Sequence, residues 1–226
     1  MKNLQESKEE IWNLTGNWQL TTIECKPKNP KSLTLLLHGY NERGLRIFRK
    51  IRRYLPEDSY IIAPNGPFPL PRVKPHRVDF GYAWYFYDPF TKTYHVDQNL
   101  VLGLLKELLQ QANPGGLPVT IIGFSQGGYL APLVGYADKN TKHVVGIGCE
   151  FRTHFFPKRP DFTLDGIHGE IDPIVSFEHA QTEMKALKEQ GINVSWHPIP
   201  ELKHEIGHEV GITIKKILEQ YGEGSL

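Results

Sequence analysis

Ser125, Asp172 and His204 are three residue types whose order along the chain suits covalent acyl-transfer chemistry. Ser125 lies in Val119-Thr120-Ile121-Ile122-Gly123-Phe124-Ser125-Gln126-Gly127-Gly128. An apolar, β-branched run of strand length leads straight into Gly-x-Ser-x-Gly, and a helix-compatible segment, Tyr129 to Tyr136, follows. A nucleophile elbow needs this context: the serine projects from a sharp strand-to-helix turn in a strained backbone conformation. Gly123 and Gly127 let the neighbouring backbone approach without a Cβ clash. The helix start behind Ser125 offers free N–H groups to a developing oxyanion.

A serine hydroxyl is a poor nucleophile at neutral pH and needs a base, itself oriented by an acid. On a strand–turn–helix elbow the expected order is serine, acid, histidine. Downstream stands Ile167-His168-Gly169-Glu170-Ile171-Asp172-Pro173-Ile174-Val175. A strand ends there and a polar loop begins, at the sheet edge where α/β proteins place their ligand sites. Asp172 is the candidate acid, with Glu170 and Asp165 as rivals; Asp165 falls inside an expected strand. The last expected strand is followed by Pro200-Glu201-Leu202-Lys203-His204-Glu205-Ile206-Gly207-His208-Glu209. His204, ahead of the terminal helix, is the candidate base, and His208 is expected in that helix's first turn.

Upstream, Leu35-Leu36-Leu37-His38-Gly39-Tyr40 is an apolar strand ending in His-Gly. The backbone N–H of Tyr40, paired with that of Gln126, is the candidate oxyanion hole, in which each donor is typically worth roughly 3–4 kcal/mol of barrier.

A rival reading uses the same histidine. His204-Glu205-Ile206-Gly207-His208 is also His-Glu-x-x-His, a zinc-peptidase signature in which two histidines share a helical face and Glu205 serves as base. Gly211 falls where a longer version of that signature has glycine. Ile214 occupies the third-ligand position and cannot coordinate, and no methionine follows to form a supporting turn. The metal reading also leaves Ser125 and Asp172 without a job. No metal and no other cofactor is therefore expected.

The elements that would position these residues alternate. Strands are expected at Gln19 to Cys25, Leu33 to Leu37, Tyr60 to Ala63, Val119 to Gly123, Val144 to Gly148, Phe162 to Ile167 and Val194 to Ile199. Helices are expected at Gly44 to Tyr54, Val96 to Ala112, Gly127 to Ala137, Ser176 to Gln190 and Ile206 to Tyr221. The alternation implies an α/β fold with a mostly parallel central sheet and helices on both faces. In the helix from Val96, the stripe Leu100, Leu104, Leu105 and Leu108 is expected to face the core.

Pro64 to Tyr94 interrupts the pattern. It is rich in Pro, Gly and aromatics and too long for an ordinary connection. It is expected to be a lid or pocket loop near the active site, with Trp84 and Phe86 as apolar pocket walls.

The 226 residues suit a single domain, 1–226. Composition is 39% hydrophobic and 23% charged, with net charge +1. That balance gives no long-range field for nucleic acid or acidic membranes. Cys25 and Cys149 are the two cysteines, too far apart to read as a disulfide or metal framework. No apolar run reaches membrane-spanning length, and Met1 to Glu10 lacks the apolar stretch of a signal peptide. A cytoplasmic enzyme is expected. The residues do not decide between a monomer and a homodimer.

Together, Leu37-His38-Gly39, Phe124-Ser125-Gln126-Gly127-Gly128, His168-Gly169-x-x-Asp172-x-x-Val175, and His204 with Glu209 after it resemble the α/β-hydrolase superfamily. Within it the chain is similar to the phospholipase/carboxylesterase group that includes acyl-protein thioesterases. The resemblance implies a Ser125–Asp172–His204 triad, an oxyanion hole at Tyr40 and Gln126, and cofactor-free cleavage of a small-molecule ester or thioester through an acyl-enzyme. Two features depart from it: Gly148-Cys149-Glu150 stands where the family has Ser-Gly, and Pro64 to Tyr94 does not fit the family pattern. A hydrolase fold kept only for binding is the alternative, and no triad position here carries an inert residue.

Overall fold

The computed structural model describes residues 16–96, 98–156 and 159–223; the Met1 to Glu10 expectation lies outside them. Seven strands form the central sheet: β1 (Thr22–Cys25), β2 (Ser32–Leu37), β3 (Ser59–Pro64), β8 (Val119–Phe124), β9 (Thr141–Ile147), β10 (Thr163–Gly169) and β11 (Val194–Ile199). Their order is β1-β3-β2-β8-β9-β10-β11. β1 runs antiparallel to β3, and every other pairing is parallel. Parallel strands need crossovers, and the helices supply them: α1 (Gly44–Ile51), α2 (Gln98–Ala112), α3 (Gln126–Ala137), α4 (Phe177–Glu189) and α5 (His208–Glu223).

The period-2 alternation of each strand divides the core in two. Leu33, Leu35, Val119 and Ile121 face one side, under α2, α3 and α4. Leu36, Ile122, Val145 and Ile167 face the other, under Ile47 and Ile51 of α1 and Val210, Ile214 and Ile217 of α5. All the expected strands and helices are present, displaced by a few residues at most. Because the strands are parallel, the ends of β2, β8, β9, β10 and β11 reach one edge. The turns after them carry Tyr40, Ser125, Gly148, Asp172 and His204.

Two expectations need correction. On α2 the buried row is Val101, Leu105 and Leu109, and Leu100 is 43% exposed. The stripe is thus turned by about one residue. Leu104 and Leu108 are only partly buried, and they line a surface cleft together with Trp18 and Leu20. The second concerns Pro64 to Tyr94, expected as a lid or pocket loop without strands of its own. It folds into two antiparallel hairpins: β4 (Phe68–Lys74) with β5 (Arg77–Ala83), and β6 (Phe86–Asp88) with β7 (Thr93–Val96). Pro69 and Pro71 look like strand breakers. In a two-stranded ribbon one edge is unpaired, so a residue without an N–H is tolerated there.

Candidate active site

Ser125 has φ 50° and ψ −118°, a conformation that is costly for any residue with a side chain. The turn around it is close. A Cβ on Gly123 would lie 2.2 Å from Gly127 O, and one on Gly127 would lie 2.3 Å from Leu37 O. The Ser125 N–H donates to Ile147 O at 2.8 Å, and Ser125 O accepts from Gly128 N and Tyr129 N. These bonds fix Oγ outward, over the first turn of α3.

His204 Nδ1 lies 2.7 Å from Asp172 Oδ2, and its Nε2 lies 2.9 Å from Ser125 Oγ. An ionised carboxylate only accepts, so Nδ1 carries the hydrogen and Nε2 is free to accept from the serine. Asp172 Oδ1 accepts from the Ile174 and Val175 N–H groups at 2.8 and 3.0 Å, and the Asp172 side chain is fully buried. The loop that bears Asp172 is tied to the loop that bears His204 through Ile171 N–H and Leu202 O, 3.3 Å apart. Phe124 packs its ring on the His204 imidazole, with centroids 4.9 Å apart. Gly148, at φ +56°, leaves room behind: a Cβ there would meet His204 at 3.3 Å and Asp172 Oδ2 at 3.5 Å.

The other edge of the site is the turn after β2. Gly39 N–H donates to Glu42 Oε2, Asn41 N–H to Tyr82 O, and Glu42 N–H to Gly39 O. Among the described residues, the bonds of this turn and of the elbow leave out the N–H groups of Tyr40 and Gln126. His38 stands beneath, fully buried. Its Nδ1–H donates to Gly39 O at 2.7 Å and its Nε2 accepts from Gly66 N–H at 2.9 Å. Burial drives its pKa down to about 4 despite the opposing bond to Gly39, so the ring is neutral.

The remaining sequence candidates fall elsewhere. Trp84 is wholly buried; its Nε1–H donates to His38 O and its ring lies on His38, with centroids 4.7 Å apart. It is a floor beneath the turn and cannot be an exposed pocket wall. Phe86 is half-buried against Phe68. Glu170 is exposed. Asp165 sits four residues before β10 ends, bonded to His143 and His197 at 2.6 Å each, and does not approach Ser125's histidine. His208 opens α5 and pairs with Tyr54 Oη at 2.8 Å. His204 precedes α5, so the two histidines do not share a helical face and the zinc-peptidase geometry is not formed. Cys149 is buried under α3 and its thiol pKa is driven up by that burial; Glu150 pairs with Arg152 at 3.3 Å. The sequence reading missed the Gln126 side chain. It accepts from Trp84 N–H at 2.9 Å and donates to Tyr85 O at 2.8 Å, clipping the segment between the hairpins onto the elbow. No periodic signal announces such a clip.

The sequence profile of the phospholipase/carboxylesterase family matches residues 19–221. The chain belongs to this family. It is an α/β-hydrolase and an esterase-type enzyme. No curated protein matches it. Solved structures with the same fold include esterase PE8, at 23% identity and TM-score 0.68, covering 89% of this chain and 99% of that one. Acyl-protein thioesterase 2 of Zea mays follows at 20% and 0.70, covering 88% and 98%. The Bacillus cereus carboxylesterase superposes at 18% and 0.64, covering 92% and 95%. At these identities the likeness speaks for the fold alone. Among the described residues of this family member, no helix is long and apolar enough to cross a membrane.

Proposed function

We propose that this chain is a serine hydrolase that cleaves carboxylic esters or thioesters of small to medium acyl chains, with Ser125 as nucleophile, His204 as base and Asp172 as orienting acid. The observation that carries the reading is the unbroken relay Ser125 Oγ–His204 Nε2, His204 Nδ1–Asp172 Oδ2, at 2.9 and 2.7 Å. The described chain is read as one domain, since all three groups leave strands of a single sheet.

In the reaction, Ser125 Oγ attacks the acyl carbonyl as its proton passes to His204 Nε2. Asp172 stabilises the imidazolium without taking the proton. The carbonyl oxygen becomes an oxyanion and meets the N–H groups of Tyr40 and Gln126. On collapse the bond to the leaving alkoxide or thiolate breaks, and His204 returns the proton to it. Water, deprotonated by His204, then attacks the acyl-serine, releasing the acid and restoring Ser125 Oγ–H.

The test is Ser125→Ala combined with a phosphonate ester probe. Ester turnover is expected to fall by several orders of magnitude with folding intact, and the probe to label Ser125 stoichiometrically. A fully active Ser125→Ala protein, or label on another residue, rejects the assignment.

A further inference from the structure

His168 is the next-to-last residue of β10, four residues ahead of Asp172, and is fully buried. Its Nε2 lies 3.1 Å from Val175 O and 3.6 Å from Asp172 Oδ2. A carbonyl only accepts, so Nε2 carries the hydrogen. Nδ1 is then the bare nitrogen, and it has no hydrogen-bond partner among the described residues. The ring is held in place by Trp196, with centroids 5.6 Å apart, and by Phe177 at 6.0 Å.

Val175 is therefore bonded on both sides. Its N–H donates to Asp172 Oδ1 at 3.0 Å, and its C=O accepts from His168. The segment Asp172 to Val175 has few other ties. Ile174 N–H bonds to the same carboxylate oxygen, Ile174 is 70% exposed, and Pro173 has no N–H to offer. At its start the segment is tied to the end of β10 by the backbone alone, Asp172 N–H to Gly169 O at 3.3 Å; at its Val175 end the tie to β10 is the side-chain bond from His168.

We infer that His168 is a positioning residue: by pinning Val175 C=O it sets the two backbone N–H groups that hold Asp172 Oδ1, and so aims Oδ2 at His204 Nδ1. The inference rests on the relay reading, since it assigns His168 a part in keeping that relay aligned. Misalignment of about 1 Å in such a relay typically costs on the order of a hundredfold in rate.

His168→Phe keeps a ring between Trp196 and Phe177 and removes the donor. His168→Gln restores an N–H with similar reach. The expected result is a 10- to 100-fold lower kcat for His168→Phe with KM within about threefold, and recovery of most of that loss in His168→Gln. An independent readout is the downfield proton resonance of His204 Nδ1–H, which reports its bond to Asp172 whether or not an ester is turned over. It is expected in the parent and in His168→Gln, and lost or moved upfield in His168→Phe. Should His168→Phe fail to fold, His168→Asn, too short to reach Val175 O, takes its place with the same expectations. A folded donor-free variant with parental kcat and a parental resonance overturns the inference. An inactive parent that still shows the resonance, and loses it in the donor-free variant, rejects the hydrolase reading while leaving the positioning role standing.

Discussion

Tyr54 Oη and His208 Nδ1 are hydrogen-bonded at 2.8 Å. The bond joins the 3-10 turn Arg52–Tyr54 to the first residue of α5, and a Cβ on Gly211, one turn further, would lie 2.1 Å from the Tyr54 ring. His208 and Gly211, two positions of the longer zinc-peptidase signature, are thus used to seat a tyrosine.

This relationship separates the two histidines experimentally. His204→Ala is expected to lower kcat by about 10³-fold or more on a p-nitrophenyl ester, as for other serine–histidine relays. His208→Ala loses one side-chain hydrogen bond, worth roughly 1 kcal/mol, and is expected to keep its turnover while showing a lower urea midpoint. Equal losses of activity in both variants would contradict the assignment.

Asp165 gives a second separation. Burial alone would raise its pKa, but the hydrogen bonds and charge of His143 and His197 outweigh it and hold the carboxyl below its ordinary value. A depressed carboxylate contributes stability above its unfolded pKa, and that stability is lost as pH falls through the folded value. Asp165→Asn is expected to reduce unfolding free energy by about 3 kcal/mol, as for broken buried pairs, with kcat/KM retained. Urea titrations and ester assays on one preparation decide it.

His38 sets a different pH window. Its folded pKa is about 4 against an ordinary 6.5, so the unfolded chain binds the proton first as pH falls. Its contribution is complete above pH 6.5 and is lost on the way down to about 4, a swing of about 3 kcal/mol. Urea unfolding from pH 7.5 to 4 should show this slope, and His38→Asn should flatten it.

Trp84→Ala is expected to act on stability, not on acyl-length preference. The ring is fully buried and bonded to His38 O, and truncating such a side chain costs roughly 3–5 kcal/mol. A variant as stable as the parent, with an altered chain-length profile, would restore the pocket-wall reading.

The sequence disclosed most where local signals and chemistry coincide. The elbow is legible because Gly123 and Gly127 are demanded by backbone contacts on either side of Ser125. Asp172 and His204 are legible because each follows a strand at the same sheet edge. The hairpins were hidden by Pro69 and Pro71, whose breaker signal has force only in strands paired on both sides. The α2 face was read from leucines alone, which omitted Val101, the start of its buried row. His168 stands in a quoted motif and Gln126 beside the serine, yet neither side-chain role was visible, because each acts through backbone atoms, Val175 O in one case and Trp84 N–H and Tyr85 O in the other, which residue types and spacing do not reveal.

The two hairpins occupy Phe68 to Val96, between β3 and α2, and none of Ser125, Asp172, His204, Tyr40 or Gln126 lies within them. Their backbone attachments to the site are few: Tyr82 on the Asn41–Glu42 turn, and Trp84 and Tyr85 on the Gln126 side chain. The segment is thus a module with a defined plug. A lineage can lengthen, shorten or replace the ribbons while the reacting groups stay under separate selection, provided residues equivalent to Tyr82, Trp84 and Tyr85 still dock. Grafted ribbons that keep those three contacts make a chimera whose chemistry is inherited from one parent and whose surroundings come from the other.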